Sequence, residues 1–278
     1  MKFYYVNHLN QRINLYGFPY FLVDTDLVDS EWKYDTSSNK IKSIYKEIKQ
    51  KTFKVGIHPS QEEKDKEAAF KRSIDKMIEV FDIDVIENQE GRIYTDNGYY
   101  LPCFVTENSK TDLSRAGNFM YIEFKVVPKN EVYWIKETKT QFNNTVERQE
   151  KFLDYPNGYA YDYMSSMKVF EIQNIGFTSS NFEIIIYGPC SYPTINIDNH
   201  SYGVNIDLLN SERLVINSIS KKIYKIFIDG STENAYSLKD TDSYIFEKIP
   251  PGTSIVSYDE NFDFDIILFD ERSEPPWT

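Results

Sequence analysis

Carboxylates are plentiful in this sequence, and Asp24 with Asp26, Asp82 with Asp84, and Asp263 with Asp265 are paired at a spacing that could do chemistry. Hydrolysis of a glycosidic bond needs two carboxyl groups held roughly 5–10 Å apart across a sugar-sized cleft, and an i, i+2 pair on a strand does put both on one face. At the last pair, however, Phe262, Phe264 and Ile266 occupy the opposite face, the pattern of a strand with one wet side, so solvated carboxylates are expected there. No D-x-[DN]-x-[DN]-G run follows any pair, which leaves a calcium loop without its ligands. His8, His58 and His200 stand alone, with no H-x-x-x-H or C-x-x-C companion to build a zinc site, and are read as solvated or incidental. G-x-S-x-G, P-loop and G-x-G-x-x-G motifs are missing, so a nucleophile elbow and a phosphate-cradling glycine loop both lack support. The expectation is a protein that is not an enzyme, with no catalytic, cofactor-binding or metal-binding residues and no cofactor.

Any site would have to be held by β-strands. The chain has 278 residues, enough for about two domains at ~100–200 residues each. Hydrophobic residues make up 41%, and 22 Tyr and 19 Phe supply most of the 16% aromatic share, which excludes a disordered polymer and suits pleated surfaces. A net charge of −12 argues against a surface that neutralises phosphates, so direct nucleic-acid binding is not expected. The apolar start Phe3 to Val6 ends at Asn7 and His8 before a signal-peptide core could form, and no run approaches the ~18 apolar residues of a membrane span. Without a secretion signal, Cys103 and Cys190 are expected as reduced, small apolar residues, and the sequons at Asn143 and Asn199 carry no meaning.

From Asn181 onward one period dominates. Phe182 to Tyr187, Thr194 to Ile197, Tyr202 to Leu209, Arg213 to Ile216, Lys221 to Ile228, Tyr244 to Phe246, Ser254 to Tyr258 and Phe262 to Phe269 are short alternating runs separated by turn residues. That spacing reads as an all-β sandwich or jelly roll. The first half is mixed. Phe3 to Val6, Ile13 to Leu15 and Phe18 to Val23 predict strands, and Asp24 to Ser38 a polar connection holding Trp32 and Tyr34. Lys40 to Ile48 and Thr52 to Ile57 are basic, alternating segments expected to pair as an extended hairpin, although Lys40 to Lys51 also tolerates a helical reading. A capping box of Ser60 and Glu63 predicts a helix over about 60–82, with Phe70, Ile74, Met77, Ile78 and Phe81 on its core face. Arg92 to Thr95 and Tyr99 to Val105 flank an Asp96-Asn97-Gly98 turn, a hairpin signature, and Phe119 to Val127 alternates as a half-buried strand. Val132 to Ile135 is a further short strand. Lys136 to Asp162 shows no sustained period, and the domain boundary is placed there.

The expected architecture is therefore mainly β. Residues 1–137 form a β-sandwich domain with one packed helix, 138–162 a linker, and 163–278 a second β-sandwich.

The succession of strand ends in the second half carries a resemblance. Phe182 to Tyr187 closes on Gly188-Pro189 and is followed at once by Pro193-Thr194-Ile195-Asn196-Ile197. Then come Leu208-Leu209, Arg213 to Ile216, the Asp229-Gly230 turn, Phe246 to Gly252, Phe264 to Phe269 and the terminal Glu271 to Trp277. In the first half, Gly17-Phe18-Pro19-Tyr20, the helix after a Pro-Ser cap, the Gly91-Arg92-Ile93-Tyr94 hairpin and the strands from Phe119 to Trp134 add to it. Taken in order, these motifs resemble the distal tail protein family of long-tailed bacteriophages over nearly the whole chain. The resemblance implies a structural component of a phage or prophage tail tip in the virion, made in the host bacterial cytoplasm. It implies a self-assembled ring, a hexamer, built mainly from the first domain and joining the tail tube protein to the tail hub and baseplate. It further implies that the second domain is galectin-like and that the last strand can return to the first domain. Short gaps between strands leave no room for an inserted carbohydrate-binding module. Basic Lys40 to Lys54 and acidic Glu62 to Glu67 are unlike patches of the kind a head-to-tail ring contact can pair. The alternative is a lectin-like carbohydrate-binding protein acting through the C-terminal sandwich.

Overall fold

A computed structural model describes residues 1–60, 62–114, 119–129, 134–143, 170–259 and 261–277. The chain divides into two compact units, Met1–Lys136 with Glu271–Thr278, and Glu137–Asp270. The described residues are mainly β with one long α-helix, the class that the alternating patterns predict.

The first stretch carries β1 (Phe3–Val6), β2 (Arg12–Asn14), β3 (Tyr16–Gly17), β4 (Tyr20–Thr25), β5 (Lys33–Ser37), β6 (Lys40–Tyr45) and β7 (Lys51–Ile57). Then follow α1 (Lys66–Ile86), β8 (Gly91–Thr95), β9 (Tyr100–Ser114), β10 (Phe119–Pro128) and β11 (Trp134–Phe142). Antiparallel pairings run β2-β1-β8-β9-β10-β7-β4-β3. The Asp96-Asn97-Gly98 turn closes the β8–β9 hairpin as its sequence predicts, with Gly98 at φ +86°. Alternation then decides what is buried: Phe53, Val55 and Ile57 on β7 and Met120, Ile122, Phe124 and Val126 on β10 all face one core. Helix α1 drives Phe81 into that face, its ring 5.0 Å from Phe124, 6.2 Å from Phe53 and 4.7 Å from Tyr5, each edge-on. At ~1.5–3 kcal/mol per buried large apolar side chain, this packing outweighs the helix's own propensity.

Two local expectations change here. The helix begins at Lys66 rather than at Ser60, because Asp65 is the residue whose side chain accepts from the Ala68 backbone N–H, at 3.0 Å. Its buried face holds Phe70, Met77 and Phe81 as predicted, but also Ala69, Val80 and Asp84, while Ile74 and Ile78 are only partly buried. The basic segment Lys40–Tyr45 does not pair with β7 and is not helical. It pairs with Lys33–Ser37, inside what reads as a polar connection, through a Ser38-Asn39 turn with φ of 51° and 61°. Positive φ at both central residues is the hairpin turn whose twist matches its strands. The interior partners of β7 are β4 and β10.

The second unit contains β12 (Phe170–Asn174), β13 (Asn181–Tyr187), β14 (Cys190–Ser191), β15 (Thr194–Ile197), β16 (His200–Gly203), β17 (Asp207–Leu208) and β18 (Arg213–Asn217). After them come β19 (Lys222–Ile226), β20 (Thr232–Asn234), a 3-10 turn at Tyr236–Leu238, β21 (Gly252–Tyr258) and β22 (Asp263–Arg272). Sheet β20-β19-β18-β13-β22 contributes Phe182, Ile184, Leu214 and Phe264, and sheet β12-β21-β15-β16 contributes Ile172, Ile195, Tyr202 and Val256, to a single core. Two inner faces sharing one core is the sandwich arrangement. Tyr244–Phe246 is not a strand: Ile245 and Phe246 are buried from a turn. Strand β11 runs on to Phe142, past the end expected at Ile135, because Lys136 to Gln141 carries a strand's alternating exposure without apolar residues to announce it. Residues 144–162 of the expected linker, and Val132 and Tyr133 of the expected strand, lie outside the described residues.

Candidate assembly surface

The β5–β6 ribbon is the part of the first unit that has no core of its own. Every residue of both strands is exposed. Pairing is regular from Lys33↔Tyr45 through Asp35↔Ser43, then shifts to Thr36↔Ile41, leaving Lys42 as the bulged residue. Because cross-strand partners point the same way, the bulge brings Ile41 onto the face that already carries Tyr34 and Ile44. These three side chains are 61%, 64% and 61% exposed for Ile41, Tyr34 and Ile44, an apolar stripe on one side of an isolated ribbon. Lys33, Lys40 and Lys42 against Asp35 make the ribbon cationic on a chain of net charge −12.

The root of this arm is fixed. The Lys51 ammonium is buried and donates to the Asp26 carbonyl at 3.0 Å and to the Asp29 carbonyl, and burial pushes its pKa below the ordinary lysine value. The Thr52 N–H donates to Asp26 Oδ1 at 2.5 Å. Glu31 receives Lys33 at 2.8 Å and Lys49 at 2.6 Å, and their hydrogen bonds hold its carboxyl down to about 2. Lys46 lies 5.2 Å over the Trp32 ring.

The carboxylate pairs do not converge. Asp26 belongs to the arm root, while Asp24 accepts from the Thr25 N–H. Asp82 is exposed, whereas Asp84 is fully buried and receives the Tyr5 hydroxyl at 2.5 Å, the His8 N–H at 3.0 Å and His8 Nδ1 at 2.5 Å. His8 is thus neither solvated nor incidental: its Nε2 also meets Glu87 at 2.8 Å, and the bond to Asp84 holds its pKa above the ordinary histidine value. Asp265 corrects the wet-face reading of the last pair. It is buried, accepts from the Tyr187 hydroxyl at 2.6 Å and pairs with Lys139 at 2.8 Å, and burial pushes the Tyr187 phenol up to about 12. His200 donates from Nε2 to the Tyr244 carbonyl at 2.9 Å, and the His58 ring lies 6.2 Å from that of Phe18 and 6.3 Å from that of Phe119. Cys103 is buried and Cys190 half-buried, both are free thiols, and burial pushes the Cys190 thiol up to about 11. Among the described residues, no three His, Cys, Asp or Glu side chains are grouped to hold a metal ion.

Sequence reasoning therefore missed the arm's apolar stripe, Tyr34, Ile41 and Ile44. The signal was present in Ser38-Asn39, two residues tolerant of a tight turn between alternating segments, and it was masked by the basic run continuing into β7.

No protein-family model matches the chain, and no curated protein matches it. Solved structures do. The crystal structure of the phage SPP1 Dit protein, described as a paradigm of the hub adsorption apparatus in phages infecting Gram-positive hosts, matches at TM-score 0.56 and 9% identity, covering 97% of this chain and 99% of that one. The phage P2 baseplate in its activated conformation contains a chain that matches at TM-score 0.58 with calcium and 0.60 with strontium, at 10% identity and with 99% of both chains covered. Almost from end to end, this chain has the fold of the phage Dit and baseplate proteins that the order of its motifs resembles.

Proposed function

We propose that the chain is a structural component of a bacteriophage or prophage tail tip, whose first unit assembles into a ring, a hexamer, that connects the tail tube to the tail hub and baseplate. The observation that carries the reading is the extent of the fold match: it covers nearly all of this chain and nearly all of SPP1 Dit at once. The arm supports self-association, since an isolated two-stranded ribbon is marginal in water and its apolar stripe calls for a partner. Its partners are then further copies of itself, the tail tube protein and the tail hub, and it works at the tail tip of the virion, without direct contact to nucleic acid and without inserting in a membrane. No helix among the described residues is long and apolar enough to cross one.

A non-enzymatic role fits how the chemistry-bearing side chains are spent. Asp84, His8 and Asp265 are engaged in internal bonds. The lectin-like alternative has less behind it, because Trp32, Trp134 and Trp277 all belong to the first unit rather than to the second sandwich. Negative-stain images of the purified chain, with its mass by light scattering, test the reading. Closed rings with a central hole are expected. A chain that stays monomeric at every concentration up to the solubility limit contradicts it.

A further inference from the structure

The first unit also carries a surface that matches the arm. The C-terminal half of α1 and the middle of β9 leave a groove of about 150 Å³, floored by Ile78, Phe81, Val105 and Phe124 and rimmed by Asp82 and Glu107. That is the volume at which an apolar cavity takes one benzene-sized group. Its helix edge is apolar and wet: Val85 is 42% exposed and Ile86 79% exposed. Beyond Val105 the described pairings of β9 are all with β10.

We propose that this groove receives the β5–β6 arm of a second copy of the chain. The inference rests on the self-association proposed above and names its two faces. Apolar matches apolar, with the Tyr34, Ile41 and Ile44 stripe against Ile78, Val85 and Ile86. Charge matches charge, because Lys42, at the bulge beside Ile41, sets a cation next to the stripe while Asp82 and Glu107 rim the groove. Complementarity matters more than usual here, since two chains of net charge −12 repel elsewhere and a cationic arm offsets that repulsion. Arm and groove are different surfaces of one unit, so the contact is head-to-tail, and such contacts satisfy every subunit only when they close a ring. Glu107 already holds Lys125 at 2.7 Å, which makes Asp82 the rim carboxyl open to an incoming lysine.

Two exposed substitutions in the full chain, Ile44→Asp on the arm and Ile86→Asp on the groove, test it by light scattering across a concentration series. Each is expected to keep the wild-type unfolding temperature and to weaken association by roughly thirtyfold or more, the loss of an interface hot spot. Mixed one to one, they should form dimers and go no further, because the arm-defective chain keeps its groove and the groove-defective chain keeps its arm. Wild-type assembly by either variant overturns the arm-to-groove contact and leaves the ring reading standing. Monomeric variants whose mixture stays monomeric overturn it too. A wild-type chain that never associates overturns both.

Discussion

The Tyr5 hydroxyl on β1 donates a 2.5 Å hydrogen bond to Asp84 Oδ2 on α1, and both residues are fully buried. Around this bond, three pieces of the first unit are tied together. The β1–β2 turn adds the His8 backbone N–H and Nδ1 to Asp84 Oδ1, and β8 gives way at Gly91, where a Cβ would stand 2.0 Å from the Tyr5 oxygen and 2.3 Å from Asp84 Oδ2. A buried carboxyl with this many donors fixes the angle at which helix meets sheet, because the bonds are directional where the surrounding aromatic packing is not.

Replacing Asp84 by Ala should therefore cost on the order of 3 kcal/mol or more, since it strands the Tyr5 hydroxyl and the His8 donors at roughly 1–3 kcal/mol per unsatisfied buried group. Asp82→Ala, two residues away and exposed, should stay within about 0.5 kcal/mol of wild type. Urea midpoints of the two variants decide this. Equal midpoints would mean that the helix has been assigned the wrong inner face.

Gly91→Ala should destabilise by about 1–3 kcal/mol through overpacking against the Tyr5 ring and oxygen. Tyr5→Phe removes one of the clashing atoms, so the double variant should cost less than the two single losses added together. Strict additivity in a double-mutant cycle would show that the strain is relieved elsewhere.

Acidity should reach the same network through His8. Hydrogen bonds to Asp84 and then to Glu87 raise its pKa in the folded state, so its contribution is fully present below the unfolded value of ~6.5 and is lost as pH rises through the raised folded value. Both ring nitrogens face carboxyl oxygens, which suits the imidazolium. The gap in melting temperature between wild type and His8→Gln should be widest near pH 6 and below, and should close on the alkaline side. A gap independent of pH would rule out titration of His8 as its source.

What the sequence made legible follows from what its periods encode. Alternation located β7, β10, β13 and β22 because each buries one face against a core, as Phe53, Ile122, Ile184 and Ile266 show. It missed β5 and the 136–142 part of β11, and it marked β6 as a strand without its partner, because these residues are held by pairing and turn geometry rather than by burial. The helix face was legible from Phe70, Met77 and Phe81, yet its start was not, because Ser60 and Asp65 both offer a capping oxygen and only the path of the chain selects between them. His8 and Asp265 were misjudged for one reason: a polar residue carries no sign in the sequence of a partner that lies 76 to 79 positions away. The arm's stripe was hidden by a bulge, which breaks the period-two rule at Lys42.

The terminal segment should matter to the first unit and not to the second. Glu271–Thr278 clusters with Met1–Lys136, where the Pro276 carbonyl accepts from the Asn97 side chain at 2.7 Å and the Arg272 guanidinium lies 5.5 Å over the Tyr99 ring. One hydrogen bond and one cation–π contact, with the packing around them, are worth about 1–3 kcal/mol. Trp134 is fully buried in the first unit, so its fluorescence reports unfolding of that unit alone. Ending the chain at Asp270 should lower the fluorescence-detected melting temperature, while hydrogen exchange in peptides covering Phe182 to Tyr187 should stay as protected as in the full chain. If protection is lost there and the Trp134 transition does not move, the terminal segment stabilises the second sandwich instead.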